Sequence, residues 1–140
     1  MATLLVASGN SLRGDDGAAQ RVLELVGPEA KAEMRSVMQL TPELAAEMAG
    51  FDTVIFLDAA ADSETVTVTE VPKPEGPASL THVSRPSEIV ALASALFDFK
   101  GRAFECRIPA HDFDTGEGLN ARTETFAREA ARLVLGIRPR

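Results

Sequence analysis

The stretch Leu4-Leu5-Val6-Ala7-Ser8-Gly9-Asn10-Ser11-Leu12-Arg13-Gly14-Asp15-Asp16-Gly17 decides how the rest of this chain is read. An apolar run stops at a Gly-Asn turn, a short polar loop follows, and two adjacent carboxylates open an amphipathic segment. Strand, turn and helix start ordinarily make an anion cradle, because a helix N-terminus presents free N–H groups and the positive end of a dipole. Asp15 and Asp16 reverse that electrostatics, so the same geometry would repel a phosphate and suit a cation. Beyond them Ala18, Ala19, Val22, Leu23 and Val26 fall on one helical face, and Gly27-Pro28 ends the helix. At the positive end of that helix the two Asp residues are also expected to cap it, which is worth about 0.5–2 kcal/mol.

Outward from this unit, Glu33 to Met38 reads as a weak second strand, while Ala32-Glu33-Met34-Arg35 fits a helix equally well. Thr41-Pro42-Glu43 starts a helix, with Thr as N-cap and Pro at the first helical position, running to about Ala49 and stopping at Gly50. Thr53-Val54-Ile55-Phe56-Leu57 is continuously apolar, as a central strand buried on both faces must be, and it ends in Asp58. Thr65 to Val71 alternates and predicts a half-exposed strand. The connection before it is too short for a parallel crossover, so this strand should run antiparallel to its predecessor. Pro72-Lys73-Pro74-Glu75-Gly76-Pro77 predicts an extended loop that delivers Ser79-Leu80-Thr81-His82 to the next helix. That helix starts near Ser84-Arg85-Pro86 and carries Ile89, Leu92, Ala93 and Leu96 at helical spacing. Phe104, Cys106 and Ile108 share one face of a last strand, with Glu105 and Arg107 on the other. The polar loop His111 to Gly118 follows, and a final helix from about Asn120 lines up Phe126, Ala130, Leu133 and Val134.

Strands alternating with helices predict a three-layer α/β/α domain: a mostly parallel twisted sheet of about five strands with one antiparallel strand, in a single domain over 1–140. The length of 140 residues is enough for a proper core, and a net charge of -7 disfavours nucleic acid and anionic membranes as partners. No apolar run approaches the roughly 18 to 20 residues that span a bilayer. The first residues carry no basic n-region or small-residue cleavage site, so no secretory signal and a cytoplasmic location are expected. One cysteine excludes an internal disulfide and a cysteine-based metal cluster.

Ligands of such sheets bind beyond the carboxyl ends of the strands. Asp15 and Asp16 follow the first strand and Asp58 ends the third, so both groups should face that edge. The loop from Pro72 to His82 is long enough to reach it, since about ten extended residues span roughly 33 Å. Two carboxylates and one imidazole, from Asp16, Asp58 and His82, suit a borderline divalent metal such as zinc, nickel, iron or manganese. The competing assignment is a helix cap, a strand end and a loop histidine. Three ligands without a fourth leave open coordination positions, as in a catalytic site or one that meets a metal held elsewhere. Cys106, alternating with apolar neighbours, is expected to pack as a small hydrophobe and not to form a nucleophilic pair with His111. The His-Glu-x-x-His, Gly-x-Ser-x-Gly and Gly-x-Gly-x-x-Gly motifs are all missing, the last because Ala7 stands where the first Gly would be.

The segment Gly9 to Gly17 resembles the N-terminal signature of the hydrogenase maturation proteases, endopeptidases that trim the C-terminal extension of the nickel–iron hydrogenase large subunit. The likeness continues through Gln39-Leu40-Thr41-Pro42-Glu43-Leu44, Val54-Ile55-Phe56-Leu57-Asp58-Ala59 and Ser79-Leu80-Thr81-His82-Val83, then Asp112-Phe113 and Gly116-Glu117-Gly118-Leu119. The resemblance implies that Asp16, Asp58 and His82 are the metal-contacting and catalytic positions. It implies an aspartic-type peptidase with no permanently bound cofactor, whose side chains recognise nickel already inserted in the precursor, although other divalent metals may occupy the site. The implied partner is that large-subunit precursor, met by a monomer or weak dimer. Ala7 and Ala19 stand where the family often has Gly, and Ala60-Ala61 replaces more varied residues. Two rivals remain: a receiver-type signalling domain phosphorylated on Asp58, and a divergent metal-dependent hydrolase with another target. Against a receiver, the loop from Ser8 to Asp15 intervenes before Asp16, and Arg107-Ile108-Pro109 stands where a lysine is expected.

Overall fold

In the computed structural model, which describes residues 2–10, 12, 14–72, 85–111 and 118–137, the two apolar runs become adjacent parallel strands. β1 (Thr3–Ser8) is buried from Leu4 to Ala7, and β3 (Thr53–Ala60) from Thr53 to Leu57. β1 lies between β2 (Glu33–Val37) and β3, and β3 lies between β1 and β5 (Arg102–Pro109), all parallel. Strands flanked on both edges and covered on both faces have no solvent side, which is why their sequences are apolar without alternation.

β4 (Thr67–Val71) closes the far edge, antiparallel to β5, giving the order β2-β1-β3-β5-β4. The short connection after β3 therefore does reverse the chain, as its length predicts. β4 does not pair with β3, however, because β5 is inserted between them. Loop length sets a strand's direction, whereas its partner is chosen by contacts made much later in the chain. The order also differs from the 2-1-3-4-5 of receiver-like doubly wound sheets, which speaks against the signalling alternative.

Helices α1 (Ala18–Val26) and α4 (Ala121–Leu135) cover one face, where Val22, Ala127 and Ala130 pack on Leu5, Ile55, Leu57, Cys106 and Ile108. Helices α2 (Glu43–Met48) and α3 (Pro86–Leu96) cover the other, with Met48 and Ile89 against Leu4, Val6, Val54 and Phe56. The result is the expected three-layer α/β/α arrangement. α2 starts one residue later than the sequence suggests: Pro42, not Thr41, takes the N-cap position, and the Thr41 carbonyl accepts from the Leu44 N–H at 3.1 Å. The expected extended loop after Pro72, with the reach of His82 and the segments Asp112-Phe113 and Gly116-Glu117, lies outside the described residues.

The acidic pair departs most from expectation. Asp15 and Asp16 sit in a 3-10 turn, Gly14–Gly17, and α1 begins after it with no side-chain cap at Gly17. Asp15 does serve a helix N-terminus, but that of α4. Its carboxylate, fully buried, accepts from the Asn120 N–H and Nδ2 at 2.9 Å each, from Thr123 Oγ1 at 2.6 Å and from the His111 N–H at 3.2 Å. Asn120 in turn caps α4 by accepting from the Thr123 N–H at 2.9 Å. Hydrogen bonds to a buried charge are the strong kind, and removing the acceptor strands several donors at once. Asp15→Ala is therefore expected to lower stability by about 3 kcal/mol or more in urea unfolding. An effect no larger than that of an exposed surface substitution would contradict this role.

Candidate functional site

The turn after β1 is what aims Asp16. Gly9 has φ +140°, a region open to glycine, and a Cβ there would collide with the Asp16 carbonyl oxygen. The Gly9 N–H donates to the Val37 carbonyl at 3.0 Å, and its own carbonyl accepts from Gln20 Nε2 at 3.0 Å. The Asn10 N–H then donates to Asp16 Oδ2 at 2.7 Å, and Asn10 Oδ1 accepts from the Leu12 N–H at 3.0 Å. Backbone and side chain thus fold the loop back onto Asp16, as the Gly-Asn signal suggested.

Asp16 and Asp58 line one crevice of about 500 Å³ at the carboxyl edge of the sheet, together with Ser8, Gly9, Leu40, Phe56 and the start of α3. Asp58 lies two residues before the end of β3 and not at its last position. It shares the α2/α3 face with Val54 and Phe56 by simple alternation. Asp15 turns away to α4, so the adjacent carboxylates have separate tasks.

Three further charged residues line the crevice, Arg85 at the start of α3 and Glu105 and Arg107 of β5; the last two share one strand face. Arg107 is the register partner of Asp58, and Glu105 that of Phe56. Neither is among the candidates that residue type and spacing single out. The signal was nevertheless present: two charges on one face of a strand whose other face is apolar have to meet something polar.

Burial pushes the Asp58 carboxyl up to about 7, the negative charge of Glu105 adds to this, and Arg107 opposes it. Asp58 Oδ1 is buried with no hydrogen-bond partner among the described residues. A carboxyl group that lines the crevice and has one oxygen without a hydrogen bond among the described residues suits a cation, whose binding would displace the proton. Among the described residues no group of three or more His, Cys, Asp or Glu is placed to hold a metal ion. The third expected ligand, His82, lies outside them. Cys106 is fully buried on the opposite face, and burial pushes its thiol up to about 12, so it packs as a hydrophobe. His111 is exposed, and its N–H is engaged by Asp15.

A mostly parallel α/β/α sheet with carboxylates converging beyond its strand ends defines the class of protein. No protein-family model and no curated protein sequence matches the chain. Solved structures do. The hydrogenase maturating endopeptidase HybD of Escherichia coli superimposes with a TM-score of 0.70 at 22% identity, covering 97% of this chain and 91% of that one. The [NiFe] hydrogenase maturation protease HybD of Thermococcus kodakarensis gives 0.68 at 20% identity, over 95% and 96% of the two chains. A second protease of that organism, HycI, gives 0.67 at 20% identity, over 96% and 90%. The chain has the fold of these hydrogenase maturation proteases.

The raised Asp58 carboxyl carries a pH signature. Its folded value lies above the unfolded one near 3.9. The stabilisation from holding the proton is therefore complete below about pH 4 and is lost as pH rises through about 7. Asp58→Asn should remove this loss and gain stability relative to the parent between pH 4 and 8, by on the order of 4 kcal/mol. Parallel stability curves for the two proteins over that range would contradict the shift.

Proposed function

We propose that this protein is an endopeptidase that removes the C-terminal extension of a nickel–iron hydrogenase large-subunit precursor after recognising the inserted nickel. The observation that carries this reading is the convergence of Asp16 and Asp58 on one crevice, with Asp58 Oδ1 unpartnered among the described residues. Its setting adds support, since the fold is shared with proteins named as hydrogenase maturation proteases.

The donor set is Asp16, Asp58 and His82. Two carboxylate oxygens and an imidazole nitrogen match a borderline divalent ion, yet three side chains leave coordination positions unfilled. That sparseness suits a metal that arrives already held by the precursor. Nickel is then part of the substrate, the enzyme has no resident cofactor, and other divalent ions can occupy the site. A nickel-free precursor offers nothing to bridge two like-charged side chains, whereas a loaded one satisfies Asp58 Oδ1 and draws on the negative charge of Asp16. Cleavage is thereby tied to completed metal insertion, and the crevice carboxylates supply the proton transfers of an aspartic-type hydrolysis. The reading sets this processing in the cytoplasm, carried out on a protein substrate by a monomer or weak dimer. No helix among the described residues is long and apolar enough to cross a membrane.

Incubation with purified precursor tests this directly. The nickel-loaded form should shift to a smaller size on a gel and the nickel-free form should not; equal cutting of both contradicts the checkpoint. Asp16→Ala, Asp58→Ala and His82→Ala should each lower the rate by about 100-fold or more while remaining folded by circular dichroism. Full activity of His82→Ala would remove the imidazole from the site.

A further inference from the structure

We propose that Arg107 is a further catalytic residue of this crevice, the cation that holds the oxyanion formed at the scissile carbonyl; the proposal rests on the peptidase reading above. β5 is an interior strand, paired with β3 on one side and β4 on the other. Its α1/α4 face packs as Phe104, Cys106 and Ile108. On the opposite face the Arg107 side chain is 38% accessible, so its charge keeps part of its solvation and can reach the crevice.

Its partner is Asp62, in the segment after β3, whose Oδ1 accepts from Arg107 Nη2 at 2.6 Å. Asp58, in register with Arg107 and on the same face, is not engaged: its Oδ1 has no hydrogen-bond partner among the described residues. Had Arg107 been present simply to neutralise Asp58, the bond would run between these two neighbours. Instead a largely exposed aspartate, 76% accessible, steadies one edge of the guanidinium, while the Arg107 side chain still lines the crevice. An arginine has five N–H donors in a fixed plane. Among the described residues the donors not bonded to Asp62 have no other hydrogen-bond partner, and they can donate to whatever enters.

The chemistry calls for such a group. Three carboxyl groups, Asp16, Asp58 and Glu105, line the crevice against Arg85 and Arg107. Negative charge built on a carbonyl oxygen there needs an arginine beside it, and Arg107 is the one in strand register with Asp58. In hydrolysis, water oxygen bonds to the carbonyl carbon and passes a proton to a crevice carboxylate. The C=O π pair moves onto the carbonyl oxygen, where the Arg107 N–H groups donate. On collapse that pair re-forms C=O, the C–N bond breaks, and the carboxyl proton goes to the departing nitrogen. Preorganised donors aimed at the developing charge are worth about 100-fold or more in rate.

The test uses the full chain and nickel-loaded precursor. Arg107→Ala should lower kcat by about 100-fold with KM changed by less than about threefold, and Arg107→Lys should recover part of the loss. Millimolar guanidinium ion should restore activity to Arg107→Ala and leave the parent unaffected. Asp62→Ala, which removes the support but not the cation, should lose much less than Arg107→Ala. Equal losses in Asp62→Ala and Arg107→Ala with no guanidinium rescue would make Arg107 a structural clamp and overturn the proposal. So would an Arg107→Ala protein that cuts as fast as the parent. A parent that cuts no nickel-loaded precursor would instead overturn the peptidase reading, and the proposal with it.

Discussion

The close approach of Gly9 to the Asp16 backbone is the constraint from which the rest of the site follows. With no side chain at Gly9, the 3-10 turn carrying Asp15 and Asp16 can lie directly on the end of β1. Consecutive residues in so tight a turn point in divergent directions. Asp15 is driven inward to the start of α4, where it ties together the first and last helices of the chain. Asp16 is left facing the crevice, its Oδ2 held by the Asn10 N–H. A Cβ at position 9 would disturb both tasks together.

Among the described residues no hydrogen-bond partner satisfies Asp58 Oδ1. Across the sheet the register sets Arg107 beside it, yet the arginine bonds Asp62. Glu105 and burial together hold the Asp58 carboxyl up at about 7. Burying a polar atom without a hydrogen bond is unfavourable by about 1–3 kcal/mol, a cost proteins ordinarily avoid outside functional sites. Asp58 Oδ1 is one of three such atoms among the described residues, with Gln20 Oε1 and Ser94 Oγ, and it belongs to the residue near the strand end where a ligand of this fold class is expected.

Local signals in the sequence carried most of the fold. The continuous apolar runs of β1 and β3, the alternation of β4 and the amphipathic faces of α1 and α4 are properties of neighbouring residues. So is the burial of Cys106 among Phe104 and Ile108. Three features were hidden because they depend on partners far along the chain. The insertion of β5 between β3 and β4 is a pairing choice that no local pattern records. Asp15 reads as a cap for its own helix, and its bonds to Asn120 and Thr123 appear only once α4 is folded against α1. Glu105 and Arg107 were legible as the polar side of a strand, but their place beside Asp58 needed the register. Asp16 and Asp58 are legible as candidates because one follows β1 and the other lies near the end of β3, parallel strands that point to the same edge, a rule of topology and not of local sequence.

In the proposed reading Asp16 and Asp58 are two arms of one metal-meeting site completed by His82. Anomalous X-ray scattering from crystals soaked in a nickel salt measures this most directly. The expected result is one strong peak in the crevice, within bonding distance of an Asp16 oxygen, Asp58 Oδ1 and a His82 nitrogen. Nickel bound elsewhere on the surface while the crevice stays free of it, or bound there without either aspartate, would contradict the claim.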